Sequence, residues 1–164
     1  MPRFAQISHP HWIEAPLSVV QAHFADLEHH IDNAVHPALH LELLSRDASG
    51  ARFVREVRRL GVRQRDVFER RIMLDGSILD RTVAGFNKGG SLCFHFEPET
   101  VADRPGTRVE VTVRLPLPPF IGLLVKPLLQ ARVRRELRLA ASEDRHDIVE
   151  RGYPRWRVTE TLTD

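Results

Sequence analysis

The chain of 164 residues holds one cysteine, one tyrosine and two lysines. It has no run of about 18 apolar residues, the minimum for a helix that spans a bilayer. The single thiol, Cys93, excludes an internal disulfide, a CxxC zinc site and a cysteine-ligated iron–sulfur cluster. Lysine occurs only at Lys88 and Lys126, so nearly all positive charge is arginine. Lys+Arg is 24 against Asp+Glu 22, a net +2. That balance is too even for the dominant basic face that nucleic-acid binding wants, and no nucleic-acid partner is expected. The opening "MPRFAQISHP" lacks the apolar core of a signal peptide, which makes a cytoplasmic protein the expectation. There is no internal repeat and no low-complexity linker. The length suits one domain over 1–164, with a core at about 5–150 and the structure of a tail at 154–164 left open.

What is present is an ordinary core-forming composition, 42% hydrophobic and 28% charged. Residues 4–14 have β character and end at Ala15-Pro16. Leu17, Val20, Phe24, Leu27 and Ile31 recur at helical spacing, predicting an amphipathic helix to about Glu28. Pro37 disfavours helix at His36, so a short helical turn to about Val35 and a new turn at Pro37 are expected. From Leu41 the pattern becomes strands. "ARFVREVRRL" and "RQRDVFERRIML" lead to a turn at Asp75-Gly76. "SILDRTVAGF", the turn "NKGG" and "SLCFHFEP" follow, and the last hairpin is expected to turn at "RPGT". In "RVEVTVRL", Val109, Val111, Val113 and Leu115 share one face. "PLPPFIGLLVKP" breaks the sheet before the longest helix, whose main body Pro127 is expected to open. Leu128, Val133, Leu137 and Ala140, with Leu129 nearby, form its apolar side. The sum is an α+β chain: a curved antiparallel sheet of about seven strands round a long C-terminal helix. Two short helices follow the first strand. An apolar cavity is expected where sheet and helix diverge.

"WIEAPLSVVQAHFADLEHH" (Trp12–His30), and "PGTRVEVTV" followed by a proline break and an arginine-rich helix, resemble the helix-grip superfamily of START, Bet v 1 and polyketide-cyclase proteins, abbreviated SRPBCC. The resemblance implies a domain that binds a small apolar or aromatic molecule and, in some members, cyclises or dehydrates it. Helix-grip domains occur as monomers and dimers, so a homodimer stays open. A narrower likeness joins "IDNAVHPALHLELL" (Ile31–Leu44) and "EDRHDIVERGYPRW" (Glu143–Trp156) to the catalytic domain of Rieske-type oxygenases. It implies mononuclear iron on His36, His40 and Asp144. The family pattern is Asp-x-x-His-x-x-x-x-His, whereas Asp32, His36 and His40 read Asp-x-x-x-His-x-x-x-His. With no Rieske cysteines, electrons for such an iron would come from elsewhere.

Two functional expectations follow. In the first, a cyclase- or aromatase-like enzyme needs no cofactor and uses His36, His40 and Glu42 as polar groups at the cavity mouth. In the second, iron or zinc sits in a two-His-one-carboxylate site. Its candidate ligands are His36, His40 and Asp144, with His146 and Glu150, an i,i+4 pair, as substitutes. Asp32 or Glu42 would orient the rings. A carrier without chemistry is the third alternative. His95 is read as a surface histidine and Cys93 as an inert thiol. Of Arg55, Arg58, Arg59, Arg63, Arg65, Arg70 and Arg71, most are expected outside, with one or two inward. Phe120–Lys126 is expected as a cavity lid, a weak membrane contact or, more commonly, a segment packed across the sheet edge.

Overall fold

The computed structural model describes residues 4–59, 61–117 and 122–153. Strand β1 (Phe4–Ile13) is followed by helices α1 (Leu17–Ala25) and α2 (Leu27–Asp32). Six strands come next: β2 (Leu39–Asp47), β3 (Gly50–Arg59), β4 (Val62–Ile72), β5 (Ile78–Gly85), β6 (Ser91–Val101) and β7 (Arg104–Pro116). Helix α3 (Gly122–Arg145) runs directly into a π-helical turn, His146–Glu150. The seven strands form one antiparallel sheet in the order β1-β7-β6-β5-β4-β3-β2. The first strand therefore pairs with the last, from Phe4 opposite Pro116 to Ile13 opposite Thr107. This is the helix-grip arrangement that the element order implied.

The helix expected from Pro16 to Glu28 is broken at Asp26. That residue leaves helical geometry (φ −82°, ψ 79°), and its side chain accepts the backbone N–H of His29 at 2.9 Å, capping α2. Its other oxygen accepts Tyr153 Oη–H at 2.9 Å. A buried carboxylate with two donors is a better use of Asp26 than one more helical residue. The last hairpin turns at Ala102-Asp103 rather than at "RPGT". Both residues have positive φ (48° and 63°), as a two-residue turn matched to strand twist requires. Pro105 sits inside β7 opposite Thr100, beyond the end of β1, so its missing N–H breaks no ladder on that side. Pro127 also lies inside α3 rather than at its start. It is the sixth helical residue and forgoes one bond just past the first turn.

Val109, Val111 and Val113 are buried, as their alternation predicts. They join Ala5, Ile7, Ile13, Val20, Phe24, Phe96 and Ile78 in the main core, which Leu129, Val133 and Leu137 of α3 cover. Leu128 does not: it is exposed, because the stripe runs Leu129, Val133, Leu137, Ala140 and Leu128 lies about 100° from it. A second core cluster, Leu27, Phe53 and Phe68, fills the β3–β4 end. Among the described side chains, strand parity turns Arg55 and Arg70 inward. Arg55 lies over the Phe68 ring (4.8 Å) and Arg70 over Phe53 (5.3 Å), flanking the stacked Phe53–Phe68 pair. Arg70 is buried and grips both oxygens of Asp80 at 2.8 and 2.7 Å, while its third donor reaches the Phe24 carbonyl at 2.8 Å. Arg63 and Arg65 are exposed and face Glu56 and Glu42. An open cleft of about 630 Å³ lies between the α1–α2 break and the β2–β3 hairpin, with Leu27, Leu43, Ala51, Arg46 and Arg70 in its wall. Phe120 and the tail 154–164, including Trp156, lie outside the described residues.

A candidate metal centre

Three segments distant in sequence meet at one corner. His23 comes from α1, His29 and His30 from α2, and His36 from the turn after it. Asp144 comes from the last turn of α3 and Asp147 from the π turn. All but His36 are buried, and His36 is nearly so, its side chain 12% exposed. Adjacent helical residues point about 100° apart, so His29 and His30 face different carboxylates. His29 Nε2 lies 2.6 Å from Asp147 Oδ2, and His23 Nε2 is 3.0 Å from the same oxygen. His30 Nε2 and His36 Nε2 approach Asp144 Oδ1 at 3.5 and 3.2 Å. The π turn, a geometry often found at functional sites, keeps Asp144 and Asp147 both on the inner side. Ala34, at φ 45°, reverses the chain after α2 and brings His36 back to the cluster.

The hydrogen bonds fix where the protons sit. His30 Nδ1 donates to the Asp26 carbonyl at 2.8 Å. His36 Nδ1 donates to Glu143 Oε2 at 2.8 Å. In the neutral rings each Nε2 then carries a lone pair aimed at a carboxylate. Asp144 Oδ1 is buried and forms no aligned hydrogen bond, although two imidazole nitrogens are close. His23 donates from Nε2 to Asp147, which leaves its Nδ1 buried and without a partner among the described residues. Lone pairs converging on a carboxylate need a cation between them, either protons or a metal ion. Donors about 2.0–2.2 Å from one ion are separated from one another by roughly 3–3.5 Å, the spacing found around Asp144 Oδ1. One ligand atom each from His23, His30 and Asp144 lies within 4.8 Å of the others, so these residues fit an ion.

His23, His29 and Asp147 form a second compact set. Here His29 and Asp147 are satisfied without an ion, and only His23 Nδ1 is left over. Asn33 Nδ2 bonds to the His29 carbonyl and to His29 Nδ1, both at 3.1 Å, so His29 Nε2 holds the proton that goes to Asp147. Asp147 is therefore a clamp for two imidazoles.

Charge follows the same geometry. Burial alone would raise the Asp144 carboxyl, but His30 and His36 hold it well below the usual carboxylate range. Asp147 is likewise depressed by His23 and His29 against its own burial. Burial works against an imidazolium at His36, yet Asp144 and Glu143 raise it to about 9. Burial lowers His23, outweighing Asp147. On β1, His9 and His11 share the inner face, with rings 5.9 Å apart. Burial lowers His11 to about 4, Asp144 opposing it and His9 reinforcing it. Both His11 ring nitrogens are buried without a partner among the described residues.

Of the residues expected at the site, His36 and Asp144 meet. His40 and Glu42 do not join them. Strand β2 already begins at Leu39, and with Leu39, Leu41 and Leu43 turned inward, His40 and Glu42 are exposed on the other face. The likeness that paired His36 with His40 placed both rings at one site, and the parity of β2 separates them. His146 and Glu150 bond each other at 2.7 Å as an exposed ion pair on the far side of the π turn. Asp32 ends α2 and is exposed. His95 is exposed beside Glu97, and burial raises the Cys93 thiol. Sequence reasoning missed His23, His29 and His30 as ligands. The one local signal was "EHH" just after the capping residue Asp26.

No protein-family model and no curated protein matches the chain. Among solved structures it is similar to a Thermus thermophilus protein, with TM-score 0.73 and 19% identity over 96% of this chain and 99% of that one. It is also similar to the Zhui aromatase/cyclase of a Streptomyces, with TM-score 0.66 and 15% identity over 93% and 100% of the two chains. A START superfamily protein of Mycobacterium smegmatis gives 0.66 and 15% over 89% and 97%. At these identities the likeness establishes the fold and nothing finer. The chain has the helix-grip fold of START, Bet v 1-like and aromatase/cyclase structures. Among the described residues no helix is long and apolar enough to cross a membrane.

Proposed function

We propose that this helix-grip chain is a metal-dependent enzyme acting on a small apolar or aromatic molecule, with iron or zinc held by His30, His36 and Asp144. One observation carries the reading: two imidazoles whose Nδ1 protons are committed elsewhere turn Nε2 onto one buried carboxylate oxygen. When bound, an ion of this donor set supplies Lewis acidity and open positions for water, dioxygen or substrate. The chain supplies the rest. The Asp26 carbonyl and Glu143 fix the two ring orientations. His11, close enough to Asp144 to feel its charge, offers a neutral imidazole to hold or move a proton.

The test is metal uptake by the purified full-length chain, read by native mass spectrometry after chelation and reloading with Fe2+ or Zn2+. One tightly held ion is expected, lost in His30→Ala/His36→Ala and kept in His40→Ala. Absence of uptake removes the reading. A second reading, a metal-free cyclase- or aromatase-like enzyme, is favoured by the unpartnered His11 ring and by the likeness to the Streptomyces aromatase/cyclase. Turnover of a polyketide substrate by chelator-treated protein, abolished by His11→Phe, would support it. Saturable binding with the ligand recovered unchanged would leave only a carrier.

A further inference from the structure

We propose that His23 is a third histidine ligand through Nδ1, so that the centre is three histidines and one aspartate. This rests on the metal reading above and goes beyond it. His23 is fully buried, its relative exposure 0%. Its Nε2 is engaged by Asp147 Oδ2 at 3.0 Å, an acceptor-only group when ionised, so the proton sits on Nε2. Nδ1 is then a bare lone pair with no partner, in a ring whose centroid is 4.6 Å from that of His30. An unsatisfied buried acceptor is destabilising, and a ligand bond to an ion beside His30 and Asp144 removes that cost.

The same tautomer rule therefore holds for all three rings. Each gives one proton to an outer acceptor: Asp147 for His23, the Asp26 carbonyl for His30 and Glu143 for His36. Each is left with one lone pair toward the ion. The arrangement also gives Asp147 and His29 a purpose. Asp147 is a positioning residue that sets the His23 tautomer. His29, with its Nε2 proton pointed at the same oxygen and its Nδ1 served by Asn33, holds Asp147 in place.

The third histidine bears on which ion can work there. Four protein donors fill a tetrahedral zinc ion and leave it no position for substrate. A six-coordinate ion such as iron(II) or manganese(II) keeps two. The working ion is accordingly of the six-coordinate class, and zinc is a structural surrogate for it.

The test uses zinc as a diamagnetic probe on the intact 15N-labelled chain. Long-range 1H–15N spectra report, ring by ring, which nitrogen is protonated and which is metal-bound. Expected are zinc-shifted Nδ1 for His23 and zinc-shifted Nε2 for His30 and His36, with His29 protonated on Nε2 and unshifted. His23 unshifted while His30 and His36 shift overturns the third ligand and leaves the metal reading standing. Failure of all three to shift overturns both. His23→Gln should weaken zinc by more than about 100-fold, and Asp147→Asn by the roughly 10–100-fold typical of outer-shell losses. Asp147→Asn should also move the His23 proton between nitrogens, a change that lost packing alone would not produce. Cobalt(II) loaded into the wild-type chain should absorb weakly in the visible, as six-coordinate cobalt does. Intense tetrahedral bands would refute the open positions.

Discussion

Metal-free protein should lose stability as pH rises from 6 to 9.5. Without an ion, the lone pairs facing Asp144 are reconciled by a proton on His36, which lies 3.2 Å from Asp144 and 2.8 Å from Glu143. Those carboxylates raise its folded pKa from 6.5 to about 9. A group raised on folding stabilises fully below its unfolded pKa and loses that contribution as pH climbs through the folded one. The interval of ~2.5 units corresponds to on the order of 3 kcal/mol. Asp144 shares the same attraction, so its depression is not added. For a chain of this size the loss equals a fall in Tm of roughly 6–12 °C. Thermal unfolding followed by circular dichroism, in chelator between pH 6 and 9.5, measures it directly. His36→Gln should flatten the slope. With zinc present the trend in affinity reverses, because ligation needs neutral imidazoles and displaces the proton. A metal-free Tm that is level or rises over this interval, or an unchanged slope in His36→Gln, would refute the reasoning.

Removing one half of the buried Arg70–Asp80 pair in Arg70→Ala should cost about 3–5 kcal/mol in urea denaturation, because Asp80 keeps its charge with nothing to answer it. Arg70→Met with Asp80→Leu should recover most of that loss. His11→Phe should leave Tm unchanged or higher, since the imidazole has no hydrogen bond to lose, while any turnover falls. A lower Tm would mean that the ring has a packing role. His40→Ala and Glu42→Ala should each change stability by less than about 0.5 kcal/mol and leave metal uptake intact. Loss of the ion in either would place the site on β2 after all.

The parts legible in the sequence are those that depend on short-range pattern. The alternation of Val109, Val111 and Val113 announces a half-buried strand. Asp75-Gly76 and Asn87–Gly90 announce turns, and Val133 and Leu137 mark the covered stripe of the long helix, from which Leu128 turns away. The boundaries moved where a tertiary partner outbid local preference. Asp26 stops α1 because it caps α2 and receives Tyr153, a residue far along the chain. Strand β2 begins at Leu39 because its leucines have an inner face to fill, and that parity sends His40 outward.

The amino-acid sequence alone determined the succession of strands and helices, since hydrophobic period, turn chemistry and proline placement act over a few residues. It also supplied a chain rich in histidine with one thiol, which leaves any metal site at most one thiolate ligand. Only the tertiary structure decided which of nine histidines count. A ligand set is a coincidence of lone pairs in space. His23 and Asp144 are more than a hundred residues apart, and no local rule relates them. The closing of β1 onto β7 and the packing of α3 under α1 and α2 bring them together. The outer acceptors then settle which nitrogen of each ring faces inward.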